Sequence, residues 1–144
     1  MNAYLPDVNV LVALIDKEHD HHRIARRWFR ESGHTQWLTC ATTENGAIRV
    51  MSLPSYPRIS LTPAQVSRLL EDFRQIGTCR FVSESSSVLN DVSVDISRLL
   101  ASKQVTDTHL LAQAVHHDAI LVTLDRRLSS VAVRNGEHHL LKLL

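Results

Sequence analysis

The strongest constraint on this chain is an alternation. Short, continuously apolar runs are each followed by a stretch whose apolar residues recur at helical spacing. Ala3-Tyr4-Leu5, Trp37-Leu38-Thr39-Cys40, Cys79-Arg80-Phe81-Val82 and Ala119-Ile120-Leu121-Val122-Thr123 have the length and apolar character of strands buried on both faces. His138 to Leu143 completes the set as a last strand. Val8, Leu11, Val12 and Ile15 fall at i, i+3, i+4, i+7, one helical face. A second helix is expected from Asp20 to Arg30, turning Ile24, Ala25, Trp28 and Phe29 inward. A third follows Thr42 as its cap, with Ala47, Ile48 and Met51 as its apolar side. Thr62-Pro63 opens a fourth carrying Val66, Leu69, Leu70 and Phe73, which Gly77 ends. A short helix capped by Ser93 and a longer one capped by Thr106, with Leu110, Leu111, Ala114 and Val115 as its stripe, finish the pattern. Strands that alternate with helices give a three-layer α/β/α domain with a mostly parallel central sheet.

At 144 residues the chain suits one domain, 1–144. Four Gly and four Pro exclude collagenous and low-complexity architectures. Val8 to Ile15 is too short to span a bilayer and is flanked by Asp7 and by Asp16-Lys17-Glu18, so no membrane role is expected. Cys40 and Cys79 sit in apolar runs and cannot form a disulfide framework; reduced thiols in a cytoplasmic protein are the expectation. A net charge of +1 gives no global field for nucleic acid, so any such contact must come from local clusters.

In parallel sheets, sites form outside the carboxyl ends of the strands. The polar residues expected there are mostly acids. Asp7 ends the first strand, Glu44 and Asp107 fall in helix first turns, and Asp125 follows the fourth strand. Singly, each has an ordinary explanation in the helix dipole or in turn chemistry. Asp7 is the exception, because it interrupts an apolar stretch between two core elements. If the fold brings the acids together, their mutual repulsion calls for a hard divalent cation, and all-oxygen ligation suits Mg²⁺, with Mn²⁺ as a substitute. Such an ion activates water and neutralises charge on a phosphate, which points to phosphodiester chemistry.

Four segments carry a resemblance. Asp7-Val8-Asn9-Val10-Leu11-Val12-Ala13-Leu14, Thr43-Glu44-Asn45-Gly46-Ala47-Ile48-Arg49-Val50, Val105-Thr106-Asp107-Thr108-His109-Leu110-Leu111-Ala112 and Leu121-Val122-Thr123-Leu124-Asp125 resemble, in order, the four acidic motifs of PIN-domain ribonucleases. The chain as a whole resembles the VapC-type toxins of bacterial toxin–antitoxin operons. The resemblance implies a Mg²⁺- or Mn²⁺-dependent endoribonuclease that cuts RNA with a metal-activated water and leaves a 5′-phosphate. Asp7 and Asp107 match the acids assigned as direct metal ligands. Glu44 and Asp125 match those that bind metal through water or orient the nucleophile, and Asn9 and Thr123 match supporting polar positions. Arg126 and Arg127 stand where many PIN domains carry a further acid, so the pattern for a second metal site is incomplete. The resemblance also implies a VapB-type antitoxin whose C-terminal segment blocks the acidic pocket, and a toxin homodimer.

Arg23, Arg26, Arg27 and Arg30 form a helical stripe that could meet RNA phosphates, pair with an acidic partner or face solvent. Arg126 and Arg127, beside Asp125, are candidates for phosphate contact, and Arg49 is a candidate ion-pair partner of Glu44. The nine His do not have zinc spacing; surface or packing roles fit them better. The alternative to an enzyme is the same fold acting as a non-catalytic RNA- or protein-binding module. A phosphate-accepting receiver domain is excluded, because no Asp ends a middle strand and no Lys follows Thr123.

Overall fold

A computed structural model describes residues 2–144. Five parallel strands, β1 (Ala3–Pro6), β2 (Trp37–Thr39), β3 (Cys79–Phe81), β4 (Ala119–Thr123) and β5 (Leu140–Lys142), form one sheet in the order β3-β2-β1-β4-β5. Helices α1 (Val8–Ile15), α2 (His22–Glu31), α3 (Ala41–Met51) and α4 (Pro63–Phe73) pack in one apolar layer, and α5 (Gln104–His116) in another.

The strands read as unbroken apolar runs because both of their faces are covered. Alternate residues serve opposite layers: Trp37 and Val122 join the core under α1–α4, while Leu5, Leu38 and Leu121 join the core under α5. From β1 the chain builds outward through β2 to β3, then returns to place β4 on the other side of β1. The crevice of this fold therefore opens outside the carboxyl ends of β1 and β4. Asp7 directly follows the first of these ends.

Several boundaries differ from the sequence expectation, each for a local reason. α2 starts at His22, because Asp16 to His22 is taken up by successive turns (His19 N–H to Asp16 O, His22 N–H to His19 O). Cys40, not Thr42, caps α3, and the Thr43 hydroxyl accepts from the Cys40 N–H at 3.1 Å. α5 begins at Gln104, whose side chain accepts from Leu100 and Ala101 N–H, so Thr106 lies inside the first turn. The helix expected after Ser93 is only a 3₁₀ turn, Ile96–Arg98, capped by Asp95. Leu100 there is 87% exposed, so no buried apolar face stabilises a full helix. His138 and His139 lie in a 3₁₀ turn, leaving a last strand of three residues. The Thr62 cap and Pro63 start of α4 match the expectation, reinforced by Gln65 in a capping box.

Candidate active site

Asp7 is fixed from three sides. Its N–H donates to Val122 O across the sheet at 2.8 Å. Its carboxylate caps α1 by accepting from Val8 N–H at 2.7 Å and accepts the Thr123 hydroxyl at 2.9 Å. The Thr123 oxygen also accepts from Asn9 Nδ2 at 3.3 Å and from the Asp125 N–H at 3.0 Å, and Asn9 Oδ1 accepts from Leu124 N–H. One buried hydroxyl thus ties the end of β1 to the turn after β4 and holds Asp7 and the Asp125 backbone in fixed relation. Asp125 itself is exposed and accepts from the Arg127 N–H at 2.8 Å.

Asp107, in the first turn of α5, completes a charged group of three. Burial pushes its carboxyl up to about 6, and the charges of Asp7 and Asp125 push the same way; Lys103 is the one cation that tempers it. Asp7 is also raised, by burial foremost and then by Asp125, against the hydrogen bonds from Thr123 and Val8. Like charges held close in a partly desolvated site are the electrostatic signature of a cation or functional site.

Asp107 stands between two clefts. One, of about 530 Å³, runs between α1 and α3 and is lined by Asp7, Asn9, Asp107, His19, Arg49 and Tyr56 among others. The other, of about 280 Å³, takes in Asp107, Asp125, Lys103, Arg98 and Arg127.

Glu44 lines neither cleft. Its carboxylate accepts from Thr39 Oγ1 at 2.6 Å and pairs with Arg74 at 3.4 Å. The ion pair expected from Arg49 is therefore made by Arg74 of the turn after α4, while Arg49 stays exposed in the larger cleft. Arg127 reaches the smaller cleft; Arg126 does not line it, and its carbonyl accepts from Lys142 at 2.8 Å. Arg23 and Arg27 lie apart from the acids, in a surface hollow with Arg26, Arg30 and Glu31, where Arg27 pairs with Glu31 at 3.2 Å.

The sequence reading passed over two polar networks. Glu84, after β3, accepts from the Thr42 N–H and hydroxyl and bonds His109 Nε2 at 2.6 Å, clasping the start of α3 to α5. Burial opposes its charge, but these bonds hold it below the usual carboxylate range. An acid shortly after a strand was the available signal, the same one that marks Asp125. Asp16 likewise gathers Tyr56 and Arg58, from the loop between α3 and α4. The remaining His contacts are mainly structural: His22, His34 and His139 each bond a backbone carbonyl, and His116 bonds buried Asp91.

Residues 4–134 match the PIN domain family. The chain is a PIN-domain protein of the VapC group. The curated relatives include Ribonuclease VapC44 of Mycobacterium tuberculosis, 41% identical over 136 residues and covering 92% of each chain. Ribonuclease VapC38 of the same organism is 36% identical over 128 residues, 89% of each chain. Among solved structures, M. tuberculosis VapC20, described as a Sarcin-Ricin loop cleaving toxin, superposes with a TM-score of 0.60. It spans 91% of this chain and 96% of its own at 9% identity, a likeness of fold. Asp7, Asp107 and Asp125 are drawn into one electrostatic group, whereas Glu44 is held by its own partners. Among the described residues no helix is long and apolar enough to cross a membrane.

Proposed function

We propose that this chain is the ribonuclease toxin of a toxin–antitoxin pair, cutting RNA at the acids beside the β1 and β4 ends. The observation that carries this reading is the raising of Asp7 and Asp107, by burial first and then by neighbouring carboxylates (Asp125 on Asp7, Asp7 and Asp125 on Asp107), in a family whose curated members here are named ribonucleases. A binding module has no use for acids that weaken its own fold, whereas a cation site does.

The residues suit Mg²⁺ or Mn²⁺. All donors are hard carboxylate oxygens. Among the described residues, no three His, Cys, Asp or Glu side chains close on one point tightly enough to cage an ion. A Mg²⁺ ion keeps several waters and needs only one or two protein carboxylates. Asp7 and Asp107 would hold it, with Asp125 alongside. When bound, the ion supplies a lowered pKa for water and charge neutralisation at the phosphate.

The chain's own groups do the rest. Thr123 and Val8 hold the Asp7 carboxylate in one orientation, so its free lone pairs point at a fixed place. Asp125, exposed and tethered through its own backbone, is free to accept a proton from attacking water. In-line hydrolysis with departure of the 3′-oxygen leaves a 5′-phosphate, and no cyclic phosphate forms because the 2′-hydroxyl is not the nucleophile. Arg127 and Lys103 sit where the strand would continue past the acids. A cytoplasmic toxin of this kind would work as a homodimer and be silenced by a VapB-type antitoxin placing a cationic segment over the acids.

The test is cleavage of a structured RNA with Mg²⁺, with EDTA, and with Asp7→Asn protein. Cutting is expected only for the wild type with metal, leaving 5′-phosphate ends. Cutting that persists in EDTA, or cyclic phosphate ends, would refute the mechanism.

A further inference from the structure

The larger cleft extends well past the acids. Its walls are α1, from Asp7 through Val8 and Val12, and one face of α3, through Thr42, Gly46 and Arg49. Thr42 and Arg49 are seven residues apart on α3, about 10 Å along its axis. Asp7 starts α1, and His19 lies beyond the end of that helix, so the acids occupy one end of the cleft and His19, Arg49 and Tyr56 the other. At α3 the cleft wall is Gly46, where even a Cβ would stand 2.6 Å from Val8 Cγ2.

The far end is built, and the acids do not account for it. Arg49 makes no salt bridge among the described residues, and it is not among the cations that act on Asp7 or Asp107. It lines the cleft with no acid paired to it among the described residues. Tyr56 is pinned: its hydroxyl donates to Asp16 Oδ2 at 2.5 Å, and Arg58 covers its ring at 5.5 Å while donating twice to the same oxygen, at 3.0 and 3.1 Å. Arg58 has φ +76°, a conformation rare for a non-glycine residue that persists only where its surroundings dictate it. Asp16 is 9% exposed and also caps the turn through Glu18 N–H. His19 accepts from His21 N–H at its Nδ1, so its neutral ring carries the proton on Nε2. A lone cation, two rings and a hydrogen-bond donor, arranged beside a phosphate-cutting centre, have the composition of a nucleotide subsite.

Building on the ribonuclease reading, we infer that this end of the cleft seats the nucleotide adjoining the cut phosphate: Arg49 takes its phosphate, the Tyr56 and His19 rings take its base, and Asp16 is a positioning residue that locks Tyr56. The site thus selects RNA by an unstacked base next to the cleavage point, a property of loops and single strands.

The test uses the full chain and a fluorescent single-stranded RNA oligonucleotide, with binding read by anisotropy in EDTA across a salt series, independent of cleavage. Arg49→Ala is expected to raise Kd about tenfold and to lower the log–log salt slope by about 1. Tyr56→Leu is expected to raise Kd about tenfold with the slope unchanged. Tyr56→Phe keeps the ring and loses the tether, so it should weaken binding less. Asp16→Asn should cost less in the Tyr56→Phe background than in the wild type, a non-additivity that general destabilisation would not give. Melting temperatures screen each variant for folding. If Arg49→Ala and Tyr56→Leu bind as the wild type does, the subsite is refuted while the ribonuclease reading stands on its cleavage assay. If they lose binding but the wild type never cuts, the subsite holds and the ribonuclease reading falls. If the wild type binds no RNA in EDTA, the subsite is refuted, and the ribonuclease reading is decided by its cleavage assay.

Discussion

At the scale of single residues, the acids set a cost that only a ligand can remove. The folded pKa of Asp107 lies near 6, above its value in an unfolded chain near 4. The folded state therefore holds the proton more tightly. The contribution of Asp107 to stability is greatest below about pH 4, falls as pH rises through 4 to 6, and stays lower above. Asp107 is half-buried, so solvent screening cuts the cost of its charge to about 1 kcal/mol at neutral pH. Asp107→Asn should then raise Tm in EDTA at pH 7.5 by about 3 °C and leave it unchanged near pH 4; scanning calorimetry at both pH values reads this. The acids also divide by role. Asp7→Asn should cost activity about 10²-fold or more, whereas Glu44→Gln, at a carboxylate occupied by Thr39 and Arg74, should cost less than tenfold. Single-turnover cleavage rates would show the split, and equal losses would return Glu44 to the cation site.

At the scale of elements, close approach and turn chemistry position the site. Gly46 lets α3 lie against Val8 at the start of α1 and so keeps the cleft narrow. Gly77, at φ +66°, turns the chain into β3 so tightly that a Cβ would meet the His34 carbonyl oxygen at 2.0 Å. Backbone cannot yield as a side chain can. Gly77→Ala should destabilise by about 2–3 kcal/mol, and Gly46→Ala by about 1 kcal/mol, because alanine's helix preference offsets part of its clash with Val8. Urea unfolding of both variants decides the order. The elements were largely readable because strands buried on both faces leave unbroken apolar runs. What escaped the sequence was set by side chains reaching across the fold. The start of α3 depends on Thr43 reaching back to Cys40, and Thr42 is drawn off by Glu84, 42 residues away. Between 93 and 100 the apolar spacing suggests a helix, but Leu100 has no core to meet.

At the scale of the molecule, the sheet order places the site. β1 lies centrally, with β2 on one side and β4 on the other, and the reversal of direction there opens the crevice that Asp7, Asp107 and Asp125 enter. The motif acids were legible as residues; their convergence was not, because it depends on β4 crossing to β1 after more than a hundred residues. Arg49 shows the same limit. Sequence proximity suggested Glu44 as its partner, whereas helical geometry sends the two side chains to different surroundings and lets Arg74 answer Glu44 instead.

The account rests on Asp107 and Asp7 sharing one cation, and calorimetric titration of Mn²⁺ at pH 6, in two buffers of different ionisation enthalpy, addresses that directly. With Asp107 partly protonated at that pH, wild-type protein should bind Mn²⁺ and release protons on binding, with less release at pH 7.5. Asp107→Asn should abolish both the binding and the proton release. An Asp107→Asn protein that binds Mn²⁺ as tightly as the wild type, with the same proton release, would contradict it.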